Sequence, residues 1–301
     1  MTTGSAPPDS PIDDLMALLD LEPIEVNIFR GLSPQHRLQR VFGGQVLGQA
    51  LVAAQRTVVE RSCHSLHAYF LHPGDPKVPI LYEVDRSRDG KSFSSRRVVA
   101  IQHGRQIFHM SASFQTAENG LEHQMEAPSV PPPEALGNDE EFQRQASDRL
   151  PPEYRDKRKR PFELRYVEGA DMIHAQKRPP HRALWVRATG ALPNDPALHQ
   201  CVLAYASDMT LLDTSLLPHG IGWFDERIQM ASIDHAMWFH RPFRADTWLL
   251  YTEDSPSASG ARGFSRGLIY ASDGALVASV AQEGLVRVRT GSAPAPGRQG
   301  M

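Results

Sequence analysis

Two polar residues stand where an apolar one is expected. Asp208, in the stretch AYASDMT, follows Cys201, Ala204 and Tyr205 at helical intervals and precedes Leu211 and Leu212. A carboxylate in that company is either a surface or helix-capping group, or a partly desolvated base whose pKa burial pushes towards the working pH. Gln282 continues the alternation of Leu276, Ala278 and Val280, so its amide points to the core side of a strand. A buried amide needs partners. These are either a neighbouring backbone, or a water and a substrate oxygen. Ser232, in QMASIDHAMWFH, says little by itself. Spacing alone leaves these alternatives open.

Other chemistry-bearing patterns are excluded or left unassigned. The run Gly43-Gly44-Gln45-Val46-Leu47-Gly48 is not G-x-G-x-x-G, no Lys-Ser/Thr follows, and no apolar strand is apparent before it, so it is not a phosphate loop. Gly263–Gly267 spells G-x-S-x-G, but LIYASDGALVASV follows, which reads strand–turn–strand where a nucleophile elbow needs a helix. Ser265 is therefore read as a plain strand residue. His64 and His67 are ordinary strand histidines or polar partners near a site, and no third ligand suggests a metal. Cys63 and Cys201 lie far apart in no metal or redox spacing, and read as reduced and structural. Arg86, Arg88, Lys91, Arg96, Arg97, Arg262 and Arg266 could each meet a phosphate or stay solvated on the surface, and none is assigned.

These residues need elements to hold them. In VFGGQVLGQALVAAQ, Val46, Leu47, Ala50, Leu51 and Ala54 fall at helical spacing, and the remaining positions include Gly48, Val52 and Ala53. A helix that is small and apolar most of the way round must be wrapped on several sides. Glycines at its start allow close backbone approach and leave N–H groups free. A second helical segment is expected at roughly 197–217. After each helix come period-two runs, such as Phe108, Met110, Ala112 and Phe114, which argue half-buried antiparallel strands.

The two halves echo each other: His67–His72 reads HAYFLH and His235–His240 reads HAMWFH, each followed by a proline turn. A duplicated domain is expected, each half one long helix and then a run of strands. On that alignment His64 faces Ser232 and Ala112 faces Gln282, so one site per chain is expected, carried mainly by the second half. Between the halves, 127–160 carries two proline clusters, an acidic run and a basic run; it can bury little apolar surface and reads as a linker. The expected organisation is an N-terminal repeat at 12–126, the linker at 127–160, a C-terminal repeat at 161–290 and a flexible tail at 291–301. The architecture that fits is α+β, with a curved antiparallel sheet wrapping each helix: two hotdogs in tandem.

The 301 residues carry a net charge of −3, which offers no basic surface for nucleic acid or membrane. The longest apolar runs fall far short of a membrane span. The opening MTTGSAPPDSP lacks the make-up of a secretory signal, and the closing GRQGM is not a peroxisomal address. A cytoplasmic protein is expected.

The stretches VFGGQVLGQALVAA, HSLHAYFLHPGDPKVPILYEVDRSRDGKSF, IQMASIDHAMWFHRPF and VASVAQEG resemble the acyl-CoA thioesterase II (TesB-like) family, over about 29–286. The resemblance implies a double hotdog that hydrolyses acyl-CoA to free fatty acid and CoA, with no cofactor and no metal, as a homodimer or homotetramer. It implies a catalytic set of Asp208, Ser232 and Gln282 acting on one water without a covalent intermediate. Serine stands at 232 where many members carry threonine; the hydroxyl is kept and the methyl lost. A hotdog hydratase or dehydratase is a second reading, but FGGQVLG lacks the Asp/His or Glu/His pair that chemistry uses. An acyl-CoA-binding protein without activity is a third.

Overall fold

The structure is a computed structural model that describes residues 10–34, 40–137, 160–168, 176–223 and 225–289. The expected tail and most of the expected linker lie outside these residues. A short helix, α1 (Pro11–Leu19), opens the fold. The first half then contributes β1 (Glu22–Glu25), β2 (Ile28–Gly31), helix α2 (Gly43–Gln55), β3 (Ser62–Phe70), β4 (Ile80–Asp89), β5 (Phe93–Gln102) and β6 (Arg105–Gln115). The second contributes β7 (Phe162–Tyr166), β8 (His181–Ala188), helix α3 (Pro196–Ser207), β9 (Ile228–Ser232), β10 (Asp234–Phe239), β11 (Leu249–Ser259), β12 (Arg262–Ala271) and β13 (Leu276–Val288).

The strands form one sheet in the order β1-β2-β4-β5-β6-β3-β10-β13-β12-β11-β8-β7, with β9 also paired to β13. The seam between the halves is antiparallel and central: Asp234 pairs with Tyr69 and Trp238 with Ser65. Helix α2 packs on β3, β4, β5 and β6, and α3 packs on α2 and β3. On α2, Leu47, Ala50, Leu51, Ala53 and Ala54 have no exposure at all, which meets the expectation of a wrapped helix.

The two helices meet directly. A Cβ added to Gly44 would collide with the carbonyl oxygen of Tyr205 on α3, so the glycine sets how near the two backbones come. Their ends differ in chemistry. Helix α3 begins with Asp195, whose side chain accepts from Ala197 N–H at 2.9 Å, with Pro196 in the first turn. Helix α2 begins at Phe42, which offers no side-chain cap. Its first-turn N–H groups must look elsewhere.

Four expectations need correction. A strand does precede α2: β2 is short and polar enough (Ile28-Phe29-Arg30-Gly31) to escape the apolar pattern. The second helix stops at Ser207; Asp208 caps it, and a 3-10 segment follows at Leu211–His219. That segment is tied down by Glu253 on β11, whose buried carboxylate accepts from Thr210 and, at 2.6 Å, from Thr214. The repeat alignment slips by one residue. Leu66 pairs with Ala112 as His235 sits opposite Gln282 in the continued register, and Cys63 pairs with Phe114 as Ser232 pairs with Gly284. Cys63, not His64, thus matches Ser232. Equal spacing of the HA motifs misleads because strand side chains alternate faces, so a one-residue slip turns His67 outward where His235 turns in.

The fourth concerns the start of the expected linker. Residues 127–136 run over the outer face of the second half's sheet, against the patch of Ala183, Trp185, Leu250 and Tyr270. Trp185 Nε1 donates to the Pro131 carbonyl at 2.9 Å, and Arg165 to that of Pro133 at 2.6 Å. Prolines suit such a strap because they need no donor partner.

Candidate active site

Asp208, Ser232 and Gln282 come together from three elements. Asp208 closes α3, Ser232 ends β9, and Gln282 sits inside β13. Gln282 Nε2 donates to Asp208 Oδ1 at 2.5 Å, and Ser232 Oγ donates to the same oxygen at 3.1 Å. A third donor comes from the other half: the N–H of Gly44, in the first turn of α2. Asp208 therefore supplies the cap that Phe42 lacks. The first half thus adds a backbone donor to a set of side chains that all come from the second.

Asp208 holds only 3% of its side-chain surface in solvent. Burial raises its pKa to about 6, against the pull of Gln282, Ser232 and Gly44. The helix ends oppose each other here. The N-terminus of α2 favours the anion, and the C-terminus of α3, which Asp208 caps, disfavours it. A Cβ on Gly43 would lie 2.6 Å from Asp208 Oδ2, so only glycine leaves room beside that oxygen.

Gln282 is wholly buried, and its two N–H donors are committed, one to Asp208 and one to His235 Nδ1 at 3.1 Å. Its Oε1 finds no partner among the described residues. Ser265, opposite Gln282 on β12, is also wholly buried, and its Oγ is likewise unpartnered. Ser265 sits inside a strand, as its sequence context suggests, and not on an exposed elbow.

His235 and Ser207 escaped the sequence reading. The signal for His235 was present: it shares the inward phase of Met237 and Phe239, as Gln282 shares that of Val280. His64 instead contacts Ser113 at 2.8 Å, and His67 packs edge-on to Trp238 on the outer face. Neither bonds to Asp208. Among the arginines, Arg96 is buried and bonded to Thr57 and Asp89, Arg262 pairs with Glu283 and Arg266 with Asp254. Cys63 and Cys201 are free and buried, their thiols pushed up by desolvation, Cys63 to about 12. No cluster of metal-ligating side chains occurs among the described residues.

The family model for acyl-CoA thioesterase matches residues 153–285, and that for the acyl-CoA thioesterase N-terminal domain matches 32–115. Human acyl-coenzyme A thioesterase 8 is 43% identical over 297 residues, covering 95% of this chain and 92% of its own. The crystal structure of acyl-CoA thioesterase II TesB2 from Mycobacterium marinum has a TM-score of 0.77 at 46% identity, covering 92% of this chain and 100% of that one. A hot-dog-fold protein of unknown function from Alicyclobacillus acidocaldarius has a TM-score of 0.72 at 17% identity, covering 92% and 99%; that likeness concerns the fold alone.

Proposed function

The chain belongs to the acyl-CoA thioesterase II family, a double-hotdog thioester hydrolase, and from that premise we propose that Asp208 is the base that activates the attacking water. The observation that carries this reading is a buried carboxylate, with a pKa of about 6, at the junction of Gly44, Ser232 and Gln282. Such a group is ionised at neutral pH yet basic enough to take a proton.

The hydrogen bonds support one division of roles. Ser232 and the amide nitrogen of Gln282 donate to Asp208, so these two donors hold the base. The free acceptor Oε1 of Gln282 would take one water proton and Asp208 the other, which turns a lone pair of the water towards the substrate. The water oxygen bonds to the thioester carbon as Asp208 takes its proton. The tetrahedral intermediate collapses with loss of the C–S bond, and the CoA thiolate leaves with the electron pair. A thiolate needs no strong acid to depart. N–H groups of the first turn of α2 would stabilise the oxyanion. The hydratase reading gains nothing from the nearby histidine: His235 Nδ1 lies 3.9 Å from Asp208, but both its nitrogens are occupied within the core.

Thiol release from acyl-CoAs of increasing chain length, with wild type beside Asp208→Asn, tests the reading. Wild type should turn over and the variant should lose about 10²-fold or more in kcat. An unchanged rate would remove Asp208 from the mechanism.

A further inference from the structure

We propose that His235 is a positioning residue for this hydrolysis, a neutral ring that fixes which way the Gln282 amide faces. The inference rests on Asp208 and Gln282 acting as just described.

The geometry runs inward from the site. The single hydroxyl proton of Ser207 is given to the carbonyl of Ala204 at 2.9 Å. Ser207 Oγ can then only accept from His235 Nε2, 2.9 Å away. That places the ring proton on Nε2 and leaves Nδ1 a lone pair. The lone pair faces Gln282 Nε2 at 3.1 Å and accepts its second N–H. Two acceptors, His235 Nδ1 and Asp208 Oδ1, therefore hold the amide nitrogen. A flipped amide would set Oε1 against both lone pairs. The ring cannot relax the constraint by taking a proton, since complete burial lowers its pKa to about 3. The result is that the amide nitrogen, and not Oε1, is held on the base, and Oε1 is left as the acceptor that the water needs.

The repeat shows what the ring is not for. Its counterpart in the first half is Leu66, wholly buried, opposite Ala112 where Gln282 would stand. A leucine fills that space in the first half, so packing alone does not call for a histidine.

The test compares two amide variants that differ in reach. His235→Asn puts an acceptor at the place of Nδ1, within reach of Gln282. His235→Gln puts its polar atoms at the place of Nε2, towards Ser207 only. With acyl-CoA as substrate, His235→Asn should keep kcat within about tenfold of wild type, and His235→Gln should lose about 10²-fold in kcat with KM nearly unchanged. On a Gln282→Ala background, His235→Gln should cost less than about threefold more. Ser207→Ala, a small change that keeps the core packed, should lower kcat by about tenfold without moving KM. Equal losses in the Asn and Gln variants, or a His235→Gln loss that multiplies fully with Gln282→Ala, would make His235 a packing residue and overturn the proposal. Should Gln282→Ala itself retain full kcat, the reading of the site fails first, and the two failures are told apart.

Discussion

Asp208 holds its charge where burial opposes it, and that has consequences for both rate and stability. The rise from an ordinary 3.8 to about 6 corresponds to roughly 3 kcal/mol between the protonation states. Below both values the carboxyl is protonated folded or unfolded, and pH has no effect through it. Between them the unfolded chain ionises first, so stability falls as pH rises and stays lower above pH 6. The melting-temperature advantage of Asp208→Asn over wild type should therefore grow between pH 4 and pH 7. The same group should place an acid limb near pH 6 in kcat/KM, absent from the residual activity of Asp208→Asn. A flat stability difference across that range would contradict the buried charge. At this scale much was legible. Asp208 and Gln282 were visible as polar residues in apolar phase, but only likeness to a family joined them to Ser232. His235 was missed because it was read as half of a repeated motif instead of by its own strand phase.

The elements explain why residues so far apart in sequence can share a proton network. Helix α2 brings its uncapped end to Asp208, and the spacing between α2 and α3 is set by Gly44. Gly44→Ala should push the helices apart, with a loss of about 1–3 kcal/mol in chemical denaturation and a fall in kcat as the N–H leaves the carboxylate. Gly48→Ala should be milder, since its Cβ would lie 3.2 Å from the Cys201 carbonyl and from a leucine side chain that can give way. Equal effects at the two positions would argue against a special role for Gly44. The wrapped character of α2 could be read from its composition. The break after Ser207 could not, because it depends on Glu253, some 40 residues on, drawing Thr210 and Thr214 onto β11.

At the level of the whole chain, two similar halves are joined by one antiparallel seam and by the contact of their helices. The site lies across that contact. Cutting the chain between 138 and 159 should leave two pieces that are inactive alone and regain thiol release when co-expressed. Hydrolysis by the second piece alone would show that Gly44 is dispensable. The duplication was legible in the sequence, and its register was not. Short motifs fix which strands correspond, but only pairing fixes which face a residue takes.

The exchange of Ser232 and Gln282 for Cys63 and Ala112 in the first half has a consequence for how the chain tolerates change. One repeat carries the cost of a buried anion and of the unpartnered Gln282 Oε1 and Ser265 Oγ; at the matching positions the other has Ala112 and a hydrogen-bonded Arg96. Stabilising substitutions should accumulate in the first half with little penalty to turnover, away from the first turn of α2, whereas in the second they should trade against it. A saturation library scored for both heat resistance and hydrolysis would show the trade-off confined to one repeat, together with a single turn of helix in the other.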